Sequence, residues 1–323
     1  MRVAVTGAAG FLGRSIVRRC SDQGDRVLAC VSHRSGQEQE LVRRAESIVR
    51  TDLAGSFDAA HFDGIDVVFH CAAQVKPAVR AHFLTGNVAV TRNVITAAAE
   101  AGVGCVIYFS SVAVHGEHQD HVGTDECGAF CSKPPSPYVE SKITAELVAR
   151  EIACQRNLRL VVLRPAWVWG PGDHALINVL AQLKQGWFPL IGDGANRLAL
   201  AYIDNVVDVA MSASSMRASE PEAFIIHDDV PLSCAQFIKA LAHTVGLSPR
   251  MIVLPKATWR AARFLASLFE RLERVPPIPY YELAVLAHEQ QFSTAKARRM
   301  LGFTPRIHLD EALRRTGEWL ASL

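Results

Sequence analysis

Met1-Arg2-Val3-Ala4-Val5-Thr6-Gly7-Ala8-Ala9-Gly10-Phe11-Leu12-Gly13 opens the chain and decides its fold. The apolar run Val3–Thr6 reads as a buried strand. It runs straight into Gly7-x-x-Gly10-x-x-Gly13, and Phe11–Gln23 then reads as a helix stopped by Gly24. Glycine lets the backbone turn tightly and approach a ligand, and a helix start offers unpaired N–H groups to negative charge. Strand, glycine turn and helix start together predict a pyrophosphate site. The first two glycines are three apart, so the spacing departs from G-x-G-x-x-G. The position between a strand and a helix carries the reading.

Outward from that unit, strands and helices alternate. Strands are expected at Arg26–Val31, Ile48–Thr51, Asp66–Cys71, Cys105–Ser110 and Leu158–Leu163, and helices at Glu38–Ala45, Val88–Ala101 and Tyr138–Asn157. This alternation predicts an α/β fold, a doubly wound parallel Rossmann sheet with right-handed crossovers. The second half is less regular. Gly170-Pro171-Gly172 breaks the pattern, Ala175–Gln185 reads as a helix and Gly192-Asp193-Gly194 as a turn. The expected division is a dinucleotide-binding domain over 1–170, completed by parts of 200–230, and a mainly substrate-binding region over 171–323.

Half of the 323 residues are hydrophobic, and 34 basic against 32 acidic residues give a formal net charge of +2. That balance gives no hint of nucleic acid or of an anionic membrane surface as a partner. No stretch approaches 18 uncharged apolar residues, which argues against a transmembrane helix. The first residues lack the pattern of a signal peptide, so a cytoplasmic location is expected. The eight cysteines are scattered, and Cys30, Cys71 and Cys105 lie in apolar runs, as reduced, buried thiols do.

Tyr138-Val139-Glu140-Ser141-Lys142 carries the chemistry. Tyr138 and Lys142, four apart on a helix, share a face. A lysine ammonium there should lower the phenol pKa from about 10 and make Tyr138 an acid/base for a carbonyl or carbinol oxygen. Ser111, with Ser110 as its neighbour, ends a parallel strand, where ligands of such sheets bind, and its hydroxyl can donate to a substrate oxygen. His115-x-x-His118-x-x-His121 with Cys127 and Cys131 fits no standard zinc spacing. No metal is expected, and the loop between Ser111 and Tyr138 reads as a lid or substrate-contact loop.

With these motifs, Asp52-Leu53, His70-Cys71-Ala72-Ala73, Leu163-Arg164-Pro165, Gly170-Pro171-Gly172-Asp173, Tyr202-Ile203-Asp204-Asn205 and the late Ala295–Pro305 segment, the chain resembles the extended short-chain dehydrogenase/reductase superfamily. It is most similar to the 3β-hydroxysteroid dehydrogenase-like branch of that NAD-dependent epimerase/dehydratase fold. The resemblance implies Ser111, Tyr138 and Lys142 as catalytic residues, with Lys142 also on the nicotinamide ribose. It further implies cofactor contacts from Gly7, Gly10, Phe11, Leu12 and Gly13. Asp52 and Leu53 would flank the adenine, Ala72 and Ala73 would lie along the cofactor, and Pro165 would stand at the nicotinamide end. Long helices such as Val88–Ala101 and Tyr138–Asn157 pair subunits in such enzymes, so a homodimer is expected.

The second strand ends in Ser32-His33-Arg34 with no carboxylate to accept from a ribose 2′-OH. Ser32 and Arg34 can instead take a 2′-phosphate. NADP(H) is therefore the expected cofactor and NAD(H) the alternative. Leu198 stands where nucleotide-sugar enzymes of this superfamily tend to place a phosphate-binding arginine, and Arg197, one residue off, points to the other face of a strand. The expected reaction interconverts a ketone and a secondary alcohol on an apolar small-molecule substrate, sterol-like or 3-keto acyl. The alternatives are a nucleotide-sugar epimerase or dehydratase and a non-catalytic NADP sensor. Thr258–Leu272, with Arg260, Arg263 and Arg271 and the nearby Arg274 around apolar residues, reads as a helix over the pocket or as a contact to a membrane surface.

Overall fold

The computed structural model describes residues 1–33, 39–55, 57–272, 274–275 and 280–323. The strands are β1 Arg2–Thr6, β2 Arg26–Val31, β3 Ser47–Arg50, β4 Val67–His70, β5 Cys105–Phe109, β6 His121–Thr124, β7 Leu160–Pro165, β8 Trp167–Trp169, β9 Trp187–Ile191, β10 Leu200–Tyr202, β11 Glu222–Ile226, β12 Arg250–Leu254 and β13 Gln290–Phe292. The helices are α1 Phe11–Asp22, α2 Gln39–Arg44, α3 Arg80–Phe83, α4 Val90–Glu100, α5 Pro137–Arg156, α6 His174–Lys184, α7 Ile203–Ser214, α8 Cys234–Thr244, α9 Ala257–Arg271, α10 Tyr280–Ala287, α11 Ala295–Leu301 and α12 Leu309–Ala321.

Seven strands form one parallel sheet in the order β11-β7-β5-β4-β1-β2-β3. Both faces are buried because alternate side chains of each strand enter different cores. Val3 and Val5 pack with α1, α2, α7 and α11, whereas Ala4, Val68, Val106 and Tyr108 pack with α4 and α5. The strand order reverses between β1 and β4, which is where ligands of open α/β sheets bind.

A third core holds the C-terminal elements. Trp169, Leu198, Tyr202, Phe237 and Leu241 pack there with Leu176 and Leu180 of α6 and Leu313 of α12. Three short parallel pairs, β8 with β10, β9 with β12 and β6 with β13, tie this part to the loops at the sheet's carboxyl edge.

The helix expected from Val88 differs. Regular α-helix begins at Val90, after α3 and a wide π-helical turn over Leu84–Ala89. Asn87 in that turn is the physical reason. Its side chain faces inward, accepting from the Gln74 N–H at 2.7 Å and donating to Ser141 Oγ of α5 at 2.8 Å. The turn thus stitches the segment after β4 to α5.

Candidate active site

Sterics fix the glycine turn. Gly7 has φ +65°, and a Cβ on it would lie 2.7 Å from the backbone of Ala72. A Cβ on Gly13 would fall 2.2 Å from the Gly7 carbonyl oxygen. Gly10 caps α1, donating its N–H to Gly7 O at 2.9 Å, and α1 has neither a side-chain cap nor an acidic residue in its first turn. The first turn therefore keeps N–H groups that no side chain of the helix satisfies, beside a cradle that a Cβ would fill. This geometry fits a dinucleotide pyrophosphate.

Beside that cradle, Thr6 Oγ1 pairs with His70 Nδ1 at 2.7 Å, and His70 Nε2 pairs with Thr91 Oγ1 at 3.1 Å. Burial holds the His70 imidazole down at about 3, so it is neutral at ordinary pH. The chain of contacts locks the carboxyl ends of β1 and β4, from which Ala72 and Ala73 continue along the cradle. Phe11 and Leu12 open α1, and Gly172 packs against the Phe11 ring. Pro165 closes β7 opposite Ile226. Ser32 is exposed just beyond β2, and Arg34 lies outside the described residues. Asp52 is exposed, with its carboxylate accepting from Ala54 N at 3.0 Å. Asn93 of α4 donates to the carbonyls of Leu53 and Gly55 and so anchors that loop.

The residues expected to react lie at the start of α5. Ser136 caps the helix, Pro137 occupies its first turn, and Tyr138 follows. The Tyr138 ring meets Phe83 edge-on, with centroids 5.9 Å apart. Ser111 caps the helical turn Val112–His115, accepting from Ala113 N at 3.2 Å, and its side chain also hydrogen-bonds Tyr138. The structure thus brings Ser111 and Tyr138 together.

Lys142, 4% exposed, donates from Nζ to the Phe109 carbonyl at 3.1 Å. The expected tuning of Tyr138 by Lys142 is not what the structure holds. Burial and the neighbouring Glu117 push the Tyr138 phenol up, the Ser111 hydrogen bond pulls it down, and the net direction is up. Burial also brings Lys142 down to about 8, against the opposing pull of Glu146. A buried ammonium tied to a backbone carbonyl does too little to offset desolvation of the phenol.

Beneath these groups runs an ionic network that the sequence reading missed. Glu146, fully buried, accepts from Ser110 Oγ at 2.7 Å, from Arg164 Nη2 at 2.6 Å and from Arg150 Nε at 3.0 Å. Burial raises the Glu146 carboxyl, but Arg164, Ser110 and Arg150 together bring it below the usual range. Arg164 Nη1 also reaches His115 Nε2 at 3.1 Å. The network ties β5, α5 and β7 to the start of the loop after Ser111. One signal was available: Lys142, Glu146 and Arg150 recur every four residues along one face of α5.

Two imidazoles of the histidine loop are used internally. His115 Nδ1 meets the Ala129 carbonyl at 3.3 Å, and His121 Nε2 donates to the Gly116 carbonyl at 2.6 Å. Burial holds His115 down at about 4. Leu198 is buried in the C-terminal core, while Arg197 is exposed and faces Glu289 and Gln291. Trp259 of α9 is buried against His288, and Phe264, Leu265, Leu268 and Leu272 leave an exposed apolar stripe. Among the described residues no helix is long and apolar enough to cross a membrane.

Known proteins align over nearly the whole chain. A 2-alkyl-3-oxoalkanoate reductase of Stenotrophomonas maltophilia is 32% identical over 330 residues, covering 98% of each chain. A decarboxylating sterol-4-alpha-carboxylate 3-dehydrogenase of Saccharomyces cerevisiae is 28% identical, covering 98% of this chain and 97% of its own. Among solved structures, the dTDP-glucose 4,6-dehydratase DesIV of Streptomyces venezuelae, with NAD bound, superposes with a TM-score of 0.77 at 25% identity, covering 100% of this chain and 97% of that one. Residues 3–226 match the model of the NAD dependent epimerase/dehydratase family, and the chain belongs to that family as an oxidoreductase acting on CH–OH and C=O groups.

Proposed function

We propose that this chain is an NADP-dependent reductase of an apolar ketone, sterol-like or 3-keto acyl, and that it works as a homodimer. The observation that carries the reading is the Ser111–Tyr138 pair at the carboxyl edge of the sheet. A nicotinamide cofactor held along the glycine cradle would supply or accept the hydride. Gly7, Gly10 and Gly13 would admit its pyrophosphate, and Lys142, one helical turn from Tyr138, would hold a ribose hydroxyl. Ser111 Oγ holds the substrate oxygen. Tyr138, whose phenol is kept in its acid form, gives its Oη proton to that oxygen.

The apolar substrate is supported by Leu198, buried among hydrophobic side chains, and by Arg197, which already faces Glu289 and Gln291. A diphosphate buried beside Leu198 would lack a partner there. The names of both relatives above put the reacting oxygen on a carbon next to one that bears a carboxylate. The nucleotide-sugar alternative draws on the solved neighbours, among them DesIV. Calorimetry against UDP, dTDP and GDP separates the two: a dissociation constant near 1 μM, about −8 kcal/mol, for any of them overturns the apolar reading.

Ser32, exposed beyond β2, and the absence of an acid in Ser32-His33-Arg34 support NADP. Replacing Arg34 with alanine should weaken NADPH by ~1.5–3 kcal/mol and leave NADH nearly unchanged. Equal losses for both cofactors, in titrations followed by nicotinamide fluorescence, would overturn the preference. Sedimentation tests the dimer.

A further inference from the structure

Glu117 is a half-buried acid whose charge Tyr138 feels, and the reaction above leaves it without a task. It follows Gly116, which has φ +98° and closes the helical turn begun by Ser111. The loop is pinned on both sides there. A Cβ on Gly116 would lie 3.2 Å from Cys131 Sγ, and the Gly116 carbonyl accepts from His121 Nε2 at 2.6 Å. Glu117 Oε2 is shut off from solvent and, among the described residues, has no hydrogen-bond partner. Its carboxyl is close enough to Tyr138 for its charge to oppose ionisation of the phenol.

The titratable groups around it are Tyr138 from α5, Cys131 from the returning loop and the adjacent His118, which in turn feels Arg263 of α9 and His288. None supplies a cation to the carboxyl. Burial alone moves it, up to about 8. A carboxyl in that position is uncharged at neutral pH, for two reasons with one outcome: no cation offsets its desolvation, and its charge would act against Tyr138. An uncharged carboxyl carries an O–H donor.

We propose that Glu117 acts as a neutral carboxylic acid in the substrate pocket and donates a hydrogen bond to a second oxygen of the substrate, one or two carbons from the reacting ketone. Glu117 thereby selects 3-oxo acids and esters over plain ketones. The inference rests on the ketone-reductase reading and adds the group that recognises the substrate's second oxygen. Proton transfer at the reacting oxygen stays with Tyr138, and Glu117 keeps its own proton.

The test compares kcat/KM for a 3-oxo ester and for the plain ketone of equal chain length, in the native enzyme, E117Q and E117A. The native enzyme should prefer the ester by about tenfold or more, the usual weight of a strong hydrogen bond. E117Q, which retains an N–H donor, should keep most of that preference, and E117A should cut it to within about threefold. The native preference should fade above about pH 8 as the donor is lost, and that of E117Q should not.

Retention of the preference by E117A, or its loss in E117Q to the level of E117A, overturns the proposal. Equal use of both compounds by the native enzyme overturns it alone, while reduction of neither takes the ketone reading down with it. Infrared difference spectra of native protein against E117Q give a readout independent of activity. A protonated-carboxyl band should be present at neutral pH and absent from E117Q. No such band at neutral pH also overturns the proposal.

Discussion

The glycine turn, proposed as the cofactor edge, and the loop between Ser111 and Tyr138 are built by different physics. Around Gly7, Gly10 and Gly13 the structure is decided by backbone clearance: two positions have no room for a single carbon atom. Between Ser111 and Tyr138 it is decided by polar side chains that leave water and find one another, as His115 does with Arg164 and His121 with the Gly116 carbonyl. The first kind of order is a property of the chain path and serves any dinucleotide. The second depends on which polar groups are buried, and it is where substrate choice can vary while the fold stays unchanged.

The most damaging change at the junction is Tyr138→Phe. It removes the donated proton and keeps the ring against Phe83. Turnover of a ketone should fall by about a hundredfold or more, with NADPH affinity unchanged in a fluorescence titration. If cofactor binding falls as well, Tyr138 belongs to the cofactor edge and the division drawn here fails.

Two glycine substitutions probe the edge itself. Gly13→Ala drives a Cβ into the Gly7 carbonyl, a backbone group that cannot swing aside. It should cost ~1–3 kcal/mol of unfolding free energy and weaken cofactor binding. Gly24→Ala keeps φ near +79° but meets nothing within 4 Å, so only backbone strain of ~1 kcal/mol should appear, with cofactor affinity intact. Similar effects of both on cofactor binding in parallel titrations would show that clearance is not what the glycine turn contributes.

What the sequence revealed follows the same division. The glycine spacing, the alternation of strands with helices and the Tyr138–Lys142 interval are local patterns, and the parallel sheet was legible from them. Ser111 was legible because it ends a strand. The contacts around it were not, since they join residues far apart in the chain. Glu146 had the spacing of a solvated helix face, and only the sheet beneath it and Arg164 from β7 bury it. The balance of effects on Tyr138 was not legible for the same reason: spacing shows that two groups share a face but says nothing of burial or of the Phe109 carbonyl that takes the ammonium. Asn87 looked like one more residue of a regular helix, and its inward turn appears only once Gln74 and Ser141 are in place.

Acid should loosen the polar region through its histidines. His115, held at about 4, and His70, at about 3, are neutral when folded and titrate near 6.5 when unfolded. Below about 6.5 the unfolded chain binds the extra protons, so stability falls with falling pH until the folded values are reached. Each imidazole contributes a slope of ~1.4 kcal/mol per pH unit. Glu117 at about 8 and Asp228 at about 7 act with the opposite sign, because their folded forms hold protons that the unfolded chain has released above about 4.5. The difference between native protein and His115→Gln cancels these shared contributions. Denaturant titrations at several pH values should therefore show the variant's slope smaller by about one proton between roughly pH 4 and 6. Equal slopes would mean that His115 is not buried as a neutral ring.

The smallest expected effect lies on α9. Its inward side chains are few: Trp259 and Ala266 are buried, while Phe264 is 73% exposed and Leu265 and Leu268 stand out beside it. A side chain that remains in water when folded loses little on replacement, because its transfer out of water never contributed to folding. Phe264→Ser should therefore change unfolding free energy by no more than ~0.5 kcal/mol, the range of exposed sites. Trp259→Ala, a few residues earlier, should remove ~3–5 kcal/mol from whatever stability α9 shares with the rest. The pair separates two ways in which this region can differ from the cofactor edge. If Trp259→Ala leaves global unfolding unchanged but speeds hydrogen exchange over α9 and α10, the helix opens by itself and the substrate side is a separate cooperative unit. If both substitutions lower the global midpoint together, the outer face of α9 is covered in solution, and the contrast between a rigid edge and a loosely held cover fails.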